Sequence, residues 1–154
     1  GDSCDVSPRG DAPGFIHILD DKTLVIPDRP GNKRLDSIVN IIDQPKMALL
    51  FMIPGVLETL RVNGSGIVSN DPDLLERFDV NGKLPSLVIV VTVEEAFGHC
   101  SKAFRRSKLW DTDYLPKTKA PSLAEMMSGH LQLDQDTSSI LEAAIEEGAQ
   151  NNMY

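Results

Sequence analysis

The apolar positions fall into short runs of strand character separated by polar turns. Residues 14–19 and 23–26 are β-rich and flank Asp20-Asp21-Lys22, the spacing of a hairpin. Residues 27–32, Pro27-Asp28-Arg29-Pro30-Gly31-Asn32, form a turn cluster. From Lys33 to about Asp43 the period changes: Leu35, Ile38, Val39 and Ile42 sit at helical spacing. Residues 47–53 then read as a continuous apolar strand. Residues 57–68 read as a strand that contains Gly64 and Gly66, where a bulge or close packing is expected. Asp71-Pro72-Asp73 opens a short helix, with proline at its first position and acids in its first turn.

Residues 84–91 are strongly β-branched and predict another strand. Thr92-Val93-Glu94-Glu95 has capping-box spacing and predicts a helix through Ala96, Phe97, Cys100 and Phe104 to about Lys108. Ser122-Leu123-Ala124-Glu125 is a second capping box. A last helix is expected over residues 138–147, stopped by Gly148. Six or so strands in hairpin order predict a mainly β chain, an antiparallel barrel with peripheral helices. The absence of alternating strand–helix units argues against a doubly wound sheet.

Composition narrows the class. With 154 residues the chain is sized for one domain. A net charge of −8 argues against a nucleic-acid or anionic-membrane binder. No run approaches the roughly 18 apolar residues of a membrane span. The start shows no basic stretch followed by an apolar one, and Cys4 and Cys100 form no CxxC or CxxH pattern. Both features point to free thiols and a cytoplasmic setting. Two basic groups interrupt the acidic background: Arg9, Arg29, Lys33 and Arg34, then Lys102, Arg105, Arg106 and Lys108. Residues 120–154 carry no Lys or Arg.

The first basic group is the stronger chemical signal. With Asn32 as N-cap, a helix starting near Lys33 carries Lys33 and Arg34 in its first turn and Arg29 just before it. A helix start is already partly positive, so cations there are unfavourable without an anion among them. Backbone N–H groups, a glycine in the turn and converging cations suit a phosphate. Arg9 is expected on a strand beside residues 24–26 and joins the same group. Solvated surface pairs with Asp28 and Asp36 are the competing explanation. No P-loop or dinucleotide fingerprint is present. The histidines lack ligand-spaced partners, which gives no metal site, and no GxSxG motif occurs.

Four separated segments then carry a resemblance: residues 4–11 (CDVSPRGD), residues 24–37 (LVIPDRPGNKRLDS), Pro54-Gly55 with residues 58–64 (ETLRVNG), and residues 99–103 (HCSKA) with Arg105 and Leu109-Trp110. In this order the chain resembles the pyridoxamine 5′-phosphate oxidase-like FMN-binding split barrels, from about Cys4 to Trp110. The resemblance implies a split-barrel domain, taken over residues 1–115; it does not cover the acidic C-terminal part, and residues 116–154 are expected as a helical extension packing on the same domain. It implies a homodimer with FMN at the subunit interface. Arg9, Lys33 and Arg34 would hold the phosphate, with Arg29 nearby and Asn32 shaping the turn. Ser7, Pro8, Ile26, Pro27 and Asp28 would line the flavin and ribityl chain. Lys102, Arg105 and Trp110 would come from the other subunit, the two cations as candidates for stabilising charge on the reduced ring.

The chain opens inside what resembles an early barrel strand, where relatives carry a preceding helix and strand. The substrate-binding residues of true pyridoxamine phosphate oxidases are not recognisable. The expected function is an FMN-dependent oxidoreductase with a small-molecule substrate or an electron donor such as NAD(P)H. The alternatives are a flavin-storage or redox-sensing protein and a flavin-free dimeric interaction module.

Overall fold

In the computed structural model the described residues are 5–31, 34–114, 120–151 and 154. Asn32, Lys33 and Cys4 lie outside them. The chain divides into two compact units, Gly1–Trp110 together with Tyr154, and Asp111–Met153.

The first unit is built on a five-stranded sheet in the order β1-β2-β5-β4-β3, antiparallel at every pairing. The strands are β1 His17–Asp20, β2 Thr23–Asp28, β3 Lys46–Phe51, β4 Thr59–Ser69 and β5 Leu87–His99. The architecture is that of the split barrel expected from the sequence. Helix α1, Asp36–Asp43, packs Ile38 and Ile41 against Ile26, Ile89 and Val91, with Met47, Leu49 and Val68 at the margin. A smaller cluster of Val25, Phe78 and Val88 is closed by α2, Pro72–Leu75, and the 3-10 turn Glu76–Phe78 after it. Fully burying a Val, Ile or Phe side chain is worth about 1.5–3 kcal/mol. These two clusters therefore hold the sheet against its helices. Asp71 caps α2 by accepting from the Asp73 backbone N–H at 3.0 Å, as its sequence predicts.

Five local expectations are corrected. The helix expected from Thr92 does not form there. β5 continues to His99, and the helix α3 is confined to Lys102–Ser107. Cross-strand partners won over the local capping pattern: Thr92 pairs with Ser65 and Glu95 with Asn63, whose side-chain amide donates to Glu95 at 2.7 Å. Helix α1 starts at Asp36, with Leu35 in the N-cap position, so its first turn carries an acid and no cation. Pro27 and Asp28 belong to β2 rather than to the turn. Five strands rather than six occur among the described residues, and Arg9 lies in an irregular segment instead of a strand.

β4 and β5 share the sheet's longest pairing, interrupted once. Asn63 pairs with Glu95 but Gly64 pairs with Val93, so Glu94 is an extra residue, a β-bulge. Gly64 permits it by letting the backbone of β5 come close. Glu94 turns to Lys46 on β3, with Nζ 2.6 Å from its carboxylate, an exposed pair.

In the second unit, α4, Leu123–Leu131, starts with the predicted capping box. The Ser122 hydroxyl accepts from the Glu125 N–H at 3.1 Å and the Glu125 carboxylate accepts from the Ser122 N–H at 2.5 Å. α5 spans Gln135–Asn151, longer than predicted at both ends, and runs through Gly148 instead of stopping there. Its Ser138 accepts from the Ser128 hydroxyl at 2.8 Å and joins the two helices. Among the described residues no helix is long and apolar enough to cross a membrane.

Candidate functional site

The first basic group sits at the Asp28 end of β2, and each described cation in it faces a carboxylate. Arg9 forms an ion pair with Asp28, both side chains half-buried. Its predicted place beside β2 is thus reached without a strand. Arg34 Nε lies 3.0 Å from the Asp36 carboxylate on the surface. Arg29 is a structural strut: its Nε donates to Asp11 at 2.7 Å and its Nη2 to the Phe78 carbonyl at 2.8 Å. Its side chain is only 13% exposed and that of Asp11 3%. The Tyr154 hydroxyl adds a third bond to Asp11 at 2.7 Å, and the Arg29 guanidinium lies 5.2 Å from the Tyr154 ring centre. Burial tends to raise the Asp11 pKa. The bonds from Tyr154, Arg29 and the Ala12 N–H, with the Arg29 charge, outweigh it and hold the carboxyl below its ordinary value. The same contact pushes the Tyr154 phenol up.

This geometry changes the phosphate argument. Among the described residues no cation lies in the first turn of α1, which carries Asp36, so that turn asks for no anion. Arg9 and Arg34 remain at the surface of this end of the sheet, whereas Arg29 is consumed by Asp11 and Phe78. Ser7 and Pro8 are exposed beside Arg9. Ile26 is buried in the α1 core and Pro27 is buried as well, so neither expected flavin-lining side chain is open to solvent.

The second basic group lies at the other end of the sheet. β5 pairs Leu87 with Asp28 of β2 and, twelve residues later, His99 with Thr59 of β4. At about 3.3 Å per residue that is roughly 40 Å of strand. Ser101 precedes α3, and Arg105 donates to its hydroxyl at 3.0 Å, while Lys102 is exposed. The Trp110 indole N–H donates to the Val56 carbonyl at 2.7 Å, and its ring lies 5.8 Å from that of Phe104. The structure therefore places Lys102, Arg105 and Trp110 near one end of β5 and the Arg9–Asp28 pair near the other, with Arg34 held by Asp36 at the start of α1.

One residue with no role assigned from the sequence stands out at the α3 end. Arg61, on β4, pairs with Leu50 of β3 and Phe97 of β5. Its guanidinium lies 4.2 Å from the centre of the Phe97 ring, and its Nε is buried with no hydrogen-bond partner. The signal was present but quiet: a cation between Leu60 and Val62 in an alternating strand. Among the described residues no group of three or more His, Cys, Asp or Glu side chains is arranged to hold a metal.

An all-antiparallel five-stranded sheet thus carries cations near both ends of its central strand. Residues 3–100, more than half of the chain, match the family described as pyridoxamine 5′-phosphate oxidase, and the chain belongs to that family. The family is typically flavin-binding. Two crystal structures of tagged HupZ from Group A Streptococcus are similar, one at 1.70 Å resolution and one of a histidine-to-alanine variant at 1.98 Å. Each is 20% identical, with a TM-score of 0.45, and covers 55% of this chain and 68% or 73% of its own. No curated protein sequence matches the chain.

Proposed function

We propose that the chain binds FMN between two copies of itself and serves as a flavin-dependent oxidoreductase. The observation that carries this reading is the separation of the two basic groups along β5. Ten paired steps divide Asp28 from the Phe97 row, so one flavin nucleotide within one subunit does not reach both. A second copy related by a two-fold axis runs its β5 the opposite way and supplies the missing end. Exposed apolar side chains around β3 and β4 support the same pairing: Leu50 is 55% exposed and Ile67 63%, with Met52, Ile53 and Leu60 also open.

The residues present fit the cofactor at both ends. Arg9 and Arg34 hold the phosphate by charge-assisted bonds, with the Asp28 carboxylate orienting Arg9. Asn32 and Lys33 belong to the same proposal. At the other end the exposed cations of α3, Lys102 and Arg105, and the Trp110 ring face the polar edge of the flavin. FMN, when bound, supplies the electron-transfer chemistry. The protein's part is to bind, orient and exclude water. The exposed free thiol of Cys100 suits a reducing, cytoplasmic setting.

The test is direct. Purified protein should be yellow or quench the fluorescence of added FMN, and should sediment as a dimer. Absence of FMN affinity overturns the reading, and a monomer that binds FMN tightly overturns the shared site. Bleaching by NADH or NADPH under anaerobic conditions would identify the electron donor.

A further inference from the structure

We infer that the exposed apolar stripe of α4 is a docking surface for the basic α3 end of a second copy of this chain, an exchange made twice about a two-fold axis. The contact goes beyond the FMN reading above and does not depend on bound flavin.

The helical pair α4–α5 lacks a core of its own. The buried residues of α4 are Ala124 and Ser128, and α5 buries none. Side chains this small remove little apolar surface from water, and helices of this length rely on packing for their stability. The large apolar side chains of α4 lie outside instead. Met126 is 55% exposed, and Leu123, Met127 and Leu131 are open with it. At 3.6 residues per turn these four fall within an arc of roughly 140°, with Glu125 on the opposite side. An apolar stripe of that breadth belongs against another surface. Two of its members are methionines, which adapt to the shape that meets them.

Charge selects the surface. Residues 120–154 hold six acids, Glu125, Asp134, Asp136, Glu142, Glu146 and Glu147, and no Lys or Arg. A second helical pair of the same kind would bring acid to acid, so the complement is basic. The α3 end has that character, with Lys102, Arg105 and Arg106 on the helix and Lys108 after it. The flavin takes Lys102 and Arg105 and leaves the other two charges without a role. Apolar surface lies beside them. Leu109 is open, and so are Ile53, 59% exposed, and Val56. Trp110 ties their loop to α3, since its indole N–H donates to the Val56 carbonyl at 2.7 Å and its ring meets that of Phe104.

An apolar patch with a basic rim thus matches an apolar stripe on an acidic helical pair. Both are open in one chain, and a second copy brings the complement of each. Reciprocal exchange about a two-fold axis covers all four surfaces and closes the assembly at two copies.

The first experiment is a crosslink in the full chain. Cys4→Ser leaves Cys100, exposed just before α3, as the native thiol. Met126→Cys adds a thiol to the stripe. Ala143→Cys adds one to the exposed side of α5, away from half-buried Leu141 and Ile145, as a control. A short bis-maleimide should join the Met126→Cys chains in pairs, seen as a covalent dimer on a denaturing gel, and should require Cys100. A crosslink inside one chain, a dimer yield no higher than that of the control, or an unchanged yield after Cys100→Ser overturns the inference.

The second experiment tests the charge match. Sedimentation of flavin-free protein gives the dimer Kd. Met126→Lys sets a cation against the basic rim and should raise that Kd about tenfold or more, and Met126→Gln should raise it less. Adding Arg106→Glu to Met126→Lys should return the Kd to within about threefold of the wild type. Absence of that rescue overturns the docking surface, as does a wild-type chain that stays monomeric without flavin. A wild type that dimerises in this way and binds no FMN overturns the flavin reading and leaves the exchange standing.

Discussion

A Cβ on Gly64 would stand 2.1 Å from the backbone carbonyl oxygen of Thr92, and 3.1 Å from its carbon. Backbone cannot yield as a side chain can. Gly64→Ala should therefore push β4 and β5 apart at the bulge and cost about 1–3 kcal/mol, measured as a lower midpoint in urea. Gly148 has nothing within 4 Å of the same position and lies inside α5. Gly148→Ala should stabilise that helix by roughly 0.5–1 kcal/mol, and circular dichroism during thermal melting would check it.

Asp11 makes stability depend on pH at the acid end. Its carboxyl titrates lower in the folded chain than in the unfolded one. The contribution is complete above the unfolded value, near about 4, and is lost as the pH falls through the lower folded value. Asp11→Asn should flatten that part of the stability–pH curve. It should also cost about 1.5–3 kcal/mol at neutral pH by leaving Arg29 without its charged partner. Urea titrations from strongly acid to neutral pH would show both effects.

The capping box of α4 gives a local prediction. Ser122→Ala removes the acceptor for the Glu125 N–H and should cost roughly 1 kcal/mol. Faster amide exchange across Leu123–Leu131 would be its mark, with β4 and β5 unchanged.

The phosphate end is tested by comparing two flavins. Arg9→Ala should weaken FMN by roughly 1.5–3 kcal/mol, about tenfold or more, and should leave riboflavin nearly unaffected. The pair Lys33→Ala and Arg34→Ala should act in the same direction. Equal losses for both flavins would show that these residues do not meet the phosphate.

The sequence made some of this legible and hid the rest for physical reasons. The hairpin of β1 and β2, the strand of β4, the proline start of α2 and the Ser122 box all depend on neighbours in the chain, and they read true. Thr92-Val93-Glu94-Glu95 carries the same local signal as Ser122-Leu123-Ala124-Glu125, yet only the latter caps a helix. The difference is made by Ser65 and Asn63, distant in sequence, which pair with the former. The basic cluster pointed to an anion through a helix start that the fold places later, at Asp36. Arg61 was hidden because one cation in an alternating strand looks like any solvent-facing residue. Its neighbour Phe97, and the missing partner of Nε, exist only once β4 and β5 are paired.

The extra residue at Glu94 changes the parity of the chain. Before it, even-numbered Thr92 shares a row with Ser65; after it, odd-numbered Glu95 and Phe97 share rows with Asn63 and Arg61. The same face of the sheet is thus written in even numbers along the first half of β5 and in odd numbers along the second. One residue of slack is stored at that point. Removing Glu94 would join the two halves into an uninterrupted ladder, with Val93 opposite Gly64 and Phe97 still opposite Arg61. The row that holds the arginine is therefore insulated from a one-residue loss here, although the tie to Lys46 would go with the lost side chain.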